Sequence, residues 1–201
     1  GIGMAQGSAQ TARLYAAARR QGGRPTEPPV PIACHADIQR LLLGMSSRVE
    51  VLRGLAMEVA MRLDDVRVQG DCANNKPSSD LVQWLLPILK AAGAEAGFDV
   101  ADDAIQVLGG AGYTREWPIE QWLRDARMMS IAEGSSGIQA LDLLHRRLWR
   151  DQGAGLTSFL QVAREELAEA QPQLRAPAAA TLDRLEHCAK RLSAMQGTPL
   201  P

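Results

Sequence analysis

Two long stretches of helical periodicity, each closed by residues that cannot continue a helix, limit what this chain can fold into. From about His35 to Val68, apolar residues recur at Ile38, Leu41, Leu42, Met45, Val49, Leu52, Ala56, Val59 and Leu63. Steps of three and four place them on one face, the pattern of a long helix with one buried side. A second pattern, from about Asp80 to Leu108, turns Leu81, Trp84, Leu85, Ile88, Ala92, Ala96, Val100, Ala104 and Val107 inward. Its alanines suit close helix–helix approach, and Pro87 inside it is a candidate kink. Ahead of the first pattern, "GGRPTEPPVP" carries four prolines and two glycines that break any helix. Between the two, "GDCANNKPSSD" reads as a polar loop in which Ser78 or Ser79 is expected to cap the next helix. Gly109-Gly110 closes the second pattern, because glycine takes the left-handed conformation of a helix C-cap without strain.

The remaining segments fit the same plan. "GIGMAQGSAQTARLYAAARRQ" is helical from its first residues with no capping lead-in, which predicts a piece of a longer protein. "AGYTREWPIEQWLRDARMMS" reads as an irregular connection with one short helix around residues 119–123, and a further helix is expected from about Ser136 to Trp149. After a hinge at Gly153-Ala154-Gly155, two amphipathic stretches follow, about 156–170 and 176–195. There is no internal repeat and no strand alternation. The expected fold is all-α: an up-down four-helix bundle with additional C-terminal helices.

Composition narrows the function classes. A formal net charge of −1 gives no electrostatic case for nucleic acid or an anionic membrane. The longest apolar runs, "LLLGM" and "WLLPIL", are far shorter than the roughly 20 residues that span a bilayer. Cys34, Cys72 and Cys188 are odd in number and form no C-x-x-C pair, so they predict buried thiols in a reducing compartment. A soluble, cytoplasmic protein is expected. His35, His145 and His187 show no metal spacing and read as structural or exposed, so no metal site is expected.

The chemistry points to "SIAEGSSGIQALDLLHRRL", residues 130–148. Glu133 stands in a small-residue turn just ahead of an amphipathic pattern. A carboxylate there is stabilised by the helix dipole and the free N–H groups of the first turn, so a capping acid is one reading. The "GSSG" that follows supports another. Small residues let a ligand approach the backbone, and exposed N–H groups polarise its oxygen. A carboxylate base beside such donors is what removal of a proton α to a carbonyl requires.

Taken in order, "DDAIQVLGGAGYTREWPIEQWLRDARMMSIAEGSSGIQALDLLHRRL" resembles the C-terminal signature of the acyl-CoA dehydrogenase family: Q-x-x-G-G-x-G-Y, R-D-A-R and E-G-[TS]-x-x-I-Q at matching spacings. "GMAQGSAQTARLYAAARRQGG" is similar to that family's first bundle helix, and "PVPIACHADIQRLLLGM" looks closest to the long subgroup that includes 3-methylmercaptopropionyl-CoA dehydrogenase. The resemblance covers residues 1–150, a C-terminal helical bundle; residues 151–201 look like that subgroup's helical extension. It implies flavin-dependent α,β-dehydrogenation of an acyl-CoA thioester with FAD as cofactor. Glu133 falls on the catalytic base and Gly134 lies against the acyl-CoA. Arg19 matches an arginine that contacts the flavin nucleotide across a dimer. Gln106, Gly109 and Gly110 match the stretch that approaches the adenine end of the neighbouring subunit's flavin. Ser135 stands where a threonine usually contacts FAD. The implied partners are acyl-CoA, an electron-transfer flavoprotein or similar acceptor, and further copies in a homo-dimer or tetramer. The family's N-terminal helical domain and middle β-domain are not in this sequence.

Departures from the pattern are Gly22 for the aromatic of R-x-x-F, Ala132 for the tyrosine before the base, and Gly137 for a polar side chain. Two competing readings are a non-catalytic helical interaction module of the same fold and a flavin-dependent acyl-CoA oxidase.

Overall fold

The structure, a computed structural model, describes residues 1–69, 76–132 and 134–197. Its helices are α1 (Ile2–Ala18), α2 (Ala36–Gln69), α3 (Lys76–Leu108), α4 (Ile119–Ala132), α5 (Ser136–Leu141), α6 (Ala154–Glu169) and α7 (Pro172–Ala194). Short 3-10 turns at Ile32–Cys34 and Gly109–Tyr113 precede α2 and follow α3. A π-helical segment, Asp142–Arg150, continues α5. Among the described residues there is no strand, only an isolated β-bridge between Arg20 and Pro31. The all-α expectation therefore holds.

Several local expectations need correction. The connection before Glu133 is not a short helix: α4 extends over 14 residues. Its Ile119 and Ala126 are fully buried, and Trp122 and Leu123 pack against the core, so the inward face follows a helical period. The charged letters of R-D-A-R, which hid that period, lie largely on the solvent side, where Glu120 and Arg124 pair at 3.1 Å. The predicted helix after Ser136 changes register. Asp151 N–H donates to Arg146 C=O, five residues back, at 2.8 Å. The Arg147 guanidinium spans this segment, reaching Asp142 at 3.4 Å and Asp151 at 3.2 Å, with Gln83 as a further partner.

Ser78 and Ser79 do not cap α3. The helix begins at Lys76 with Pro77 in its first turn, a position where the missing N–H costs nothing, so both serines lie inside it. α3 also runs through Pro87 as one helix. Leu63, expected to face inward, is 37% exposed. The cysteines are not buried as expected: Cys34 and Cys188 are exposed, one in the turn before α2 and the other on the outer side of α7. Cys72 lies outside the described residues.

The chain forms two compact units, and α2 and α3 each contribute one end to both. The first comprises Gly1–Met57 and Leu89–Ser136. Its core joins Ala5, Ala12 and Ala16 of α1, Leu41, Met45 and Val49 of α2, Val100, Ala104 and Val107 of α3, and Ile119 of α4. The four helices around this core are α1, α2, α3 and α4, so α4 fills the place expected for the helix after Ser136.

The second unit, Glu58–Ile88 and Gly137–Pro201, buries Leu81, Trp84 and Leu85 of α3 with Leu148, Leu156 and Leu160. At Gly155 a methyl group would sit 2.4 Å from Asp80 O and 2.6 Å from Trp84 Cβ. Neither atom is the end of a flexible side chain. Gly155→Ala is therefore expected to destabilise by roughly 1–3 kcal/mol, outweighing the roughly 0.5–1 kcal/mol that alanine gains over glycine inside a helix. Thermal denaturation followed by circular dichroism should show a midpoint several degrees lower; an unchanged or raised midpoint would contradict this α3–α6 contact.

Candidate functional site

α1 ends where its last residues meet the proline-rich segment. Arg19 has left the helix (φ −68°, ψ 126°), with its N–H still bonded to Tyr15 C=O. Its own carbonyl accepts from Ile32 N–H at 2.8 Å, which ties the end of α1 to the turn before α2. The intervening segment folds back on itself: Gln21 N–H donates to Val30 C=O at 2.9 Å, and Val30 N–H to Gly22 C=O at 3.3 Å. Arg20 Nη1 reaches Pro29 C=O at 3.2 Å. Tyr15 stacks edge-on against Trp117, with ring centroids 5.3 Å apart.

These elements and the end of α3 line an open cavity of about 630 Å³ within the first unit. Arg19, Gln106, Gly109 and Gly110, assigned separately from sequence, line that one cavity. Gly109 is left-handed (φ +61°), as a helix C-cap requires, so the chain turns away at the end of α3. A Cβ at Gly109 or Gly110 would meet nothing within 4 Å, so the backbone edge there is open to a ligand. No described residue pairs with the Arg19 guanidinium, and no carboxylate is among the residues lining the cavity. A free guanidinium, a side-chain amide and an open glycine edge suit an anionic ligand that also carries amide or ring-nitrogen groups, which a dinucleotide does.

Sequence reasoning missed part of this wall. Gln21, Gly22 and His35 also line the cavity. Gly22 was legible as part of a breaker segment and as a departure from R-x-x-F, and His35 only as a histidine without metal spacing. The signal available was position: His35 directly precedes the first long helix and follows the segment that must double back from Arg19.

Gly134 and Ser135 are not among the residues that line this cavity. Glu133 falls outside the described residues. Gly134 is left-handed (φ 90°) and half-buried, and Ser135 is exposed, between α4 and α5. Ser136, the first residue of α5, donates through Oγ to the Glu95 carboxylate on α3. Among the described residues no group of acidic, histidine and cysteine side chains is arranged to hold a metal ion. Nor is any described helix long and apolar enough to cross a membrane.

Residues 1–149 match the family described as acyl-CoA dehydrogenase, C-terminal domain. The chain is 32% identical over 202 residues to 3-methylmercaptopropionyl-CoA dehydrogenase of Ruegeria pomeroyi, covering 92% of this chain and 34% of that protein. It is 34% identical over 151 residues to the broad-specificity linear acyl-CoA dehydrogenase FadE5 of Mycobacterium tuberculosis, covering 71% of this chain and 24% of that protein. The crystal structure of Caenorhabditis elegans ACDH-11 in complex with C11-CoA aligns with a TM-score of 0.75 over 96% of this chain and 31% of that one, at 19% identity, a likeness of fold. The chain thus spans about a third of the length of the first of these relatives and a quarter of the second. Those matches and the helical core make the chain a member of the acyl-CoA dehydrogenase family, corresponding to its C-terminal domain.

Proposed function

We propose that this chain is the C-terminal part of a FAD-dependent acyl-CoA dehydrogenase, which oxidises an acyl-CoA thioester to the 2,3-enoyl-CoA. The observation that carries the reading is the meeting of Arg19, Gln106, Gly109 and Gly110 on one cavity that has an unpaired cation and no lining carboxylate. Residues 1–150 are the bundle domain and 151–201 its helical extension. The remaining walls of the pocket come from domains outside this sequence, so the chain by itself does not turn over.

Arg19 would hold the flavin diphosphate by charge, and Gln106 with the Gly109–Gly110 backbone would meet the adenine end. Ser135 offers a hydroxyl to a second flavin contact. FAD, when bound, accepts hydride from the β-carbon. Glu133 takes the α-proton, its backbone N–H donates to the thioester oxygen, and Gly134 leaves room for the acyl chain. A hydrogen-bond donor at that oxygen stabilises the developing enolate charge and makes the α-proton easier to remove. That Gly134 and Ser135 do not line the Arg19 cavity suits a homo-oligomer in which each chain serves two flavins. Exposed Leu14, Leu43, Val51 and Met57, at 62%, 72%, 70% and 62%, supply apolar surface for such a contact. The partner that would reoxidise the flavin is an electron-transfer flavoprotein or similar acceptor, in the cytoplasm.

Two measurements test this. The enzyme containing this chain should lose its flavin absorbance on addition of a saturated acyl-CoA and yield the 2,3-enoyl product; a flavin that no acyl-CoA bleaches would overturn the reading. The 201-residue chain alone should emerge from dialysis with FAD colourless. Stoichiometric retained flavin would show that the other domains are not needed to hold it.

A further inference from the structure

His35 links the proline-rich segment to α2. Its N–H donates to Ile32 C=O at 3.0 Å and its carbonyl accepts from Gln39 N–H at 3.0 Å, so the residue both closes the 3-10 turn and starts the helix. Its imidazole lines the cavity that contains Arg19 and Gln106. Nε2 lies 2.8 Å from Gln21 O. A carbonyl only accepts, so Nε2 carries a proton, and no described residue bonds to Nδ1. The ring cannot easily turn. Gln21 is pinned by its bond to Val30, and left-handed Gly22 (φ +69°) brings the backbone so close that a Cβ would meet His35 Cε1 at 3.2 Å and Nε2 at 3.3 Å. With one nitrogen committed to the backbone, the other is free to gain or lose a proton.

The surroundings favour an added anion beside this ring over an existing one. From α1 come Arg19 and the Tyr15 phenol, and from the end of α3 only uncharged residues, 106–111, reach the cavity. Asp37 on α2 is engaged by Arg40 at 2.9 Å, and Glu27 in the segment by Arg24 at 3.3 Å. Asp103, one turn earlier on α3, is engaged by Arg48 at 2.7 Å. Arg20 is turned to Pro29 C=O. A diphosphate entering the cavity therefore meets one permanent cation, Arg19, and one group whose charge depends on pH.

We propose that His35 is a second, proton-gated cation of this cavity, so that the diphosphate of a dinucleotide binds more tightly as the pH falls and His35 takes up its second proton. The inference rests on reading the cavity as a nucleotide site. By linkage the effect is reciprocal: a ligand that prefers protonated His35 must also make that histidine harder to deprotonate.

The test uses ADP-ribose, whose diphosphate diester keeps a constant charge, added to the FAD-free form of the enzyme containing this chain at about pH 5.5 and about pH 8. Calorimetry should give about tenfold tighter binding at the lower pH, and saturating ligand should raise the titration midpoint of the His35 Cε1–H proton resonance by about one unit. His35→Gln keeps an amide N–H near the position of Nε2 for the Gln21 carbonyl but cannot gain charge; its binding should be the same at both pH values, while circular dichroism matches the parent. Parent affinity that ignores pH, or a Gln variant that keeps the dependence, would overturn the proposal. Sulfate, dianionic throughout this range, separates it from the nucleotide reading. If sulfate binds in a His35- and pH-dependent way but ADP-ribose does not bind, the nucleotide assignment fails and the gated cation stands. If neither binds, both fall.

Discussion

Glu133→Gln is expected to slow the reduction of bound flavin by acyl-CoA at least about 10²-fold, the lower end of what general-base catalysis typically contributes. The amide keeps the size of the side chain and the backbone N–H, so acyl-CoA should still bind and the loss should fall on the chemical step. Glu133→Asp should retain more activity than the Gln variant, because a shortened carboxylate is still a base although about one methylene too far away. If Glu133 were only a capping acid, both variants would lose a little stability and neither would lose the step. Stopped-flow measurement in the enzyme containing this chain separates the two. The structure supplies a control: Glu95 accepts a hydrogen bond from Ser136, three residues beyond Glu133. Glu95→Gln should leave flavin reduction within a few-fold of the parent. Near-normal reduction by Glu133→Gln together with a large loss in Glu95→Gln would move the base to α3.

The second large effect concerns the core of the first unit. Met45 is fully buried among α1, α2 and α3 residues. Met45→Ala should cost about 2–5 kcal/mol, the transfer energy of the lost side chain plus the cavity left behind. Leu43, two residues earlier on the same helix, is 72% exposed, so Leu43→Ala should change stability by less than about 0.5 kcal/mol. Urea denaturation of the two variants reads the orientation of α2 directly. Equal losses would mean that α2 does not present the Met45 face to the core. For a protein of this size each kcal/mol corresponds to about 2–4 °C in the thermal midpoint, so the Met45 variant should be visible in a simple melt.

What the sequence determined by itself was whatever depends on local periodicity and on backbone chemistry. The two long helices were legible because apolar steps of three and four persist over many turns, and the end of α3 because Gly109 must take a positive φ there. The family was legible because the Q-x-x-G-G, R-D-A-R and E-G-S motifs keep their spacing along the chain. Four residues assigned from the family resemblance, Arg19, Gln106, Gly109 and Gly110, line one cavity.

Tertiary structure decided what periodicity cannot express. R-D-A-R hid the full length of α4, since charged letters on an outer face look like a loop until the inner face finds a core to bury Ile119 and Ala126. Leu63 was placed inward by its spacing, but spacing fixes only a helical face, and whether that face is covered depends on a neighbour. The exposure of Cys34 and Cys188 follows from the same rule. Nothing local to residues 19, 35 and 106 says that they share a cavity; the doubling back of the proline-rich segment, held by the Gln21–Val30 bond and by Arg19 C=O to Ile32 N–H, brings them together. A helix pattern records which side of each helix seeks burial, while the choice of partner, and hence of site, is made only when the whole core closes.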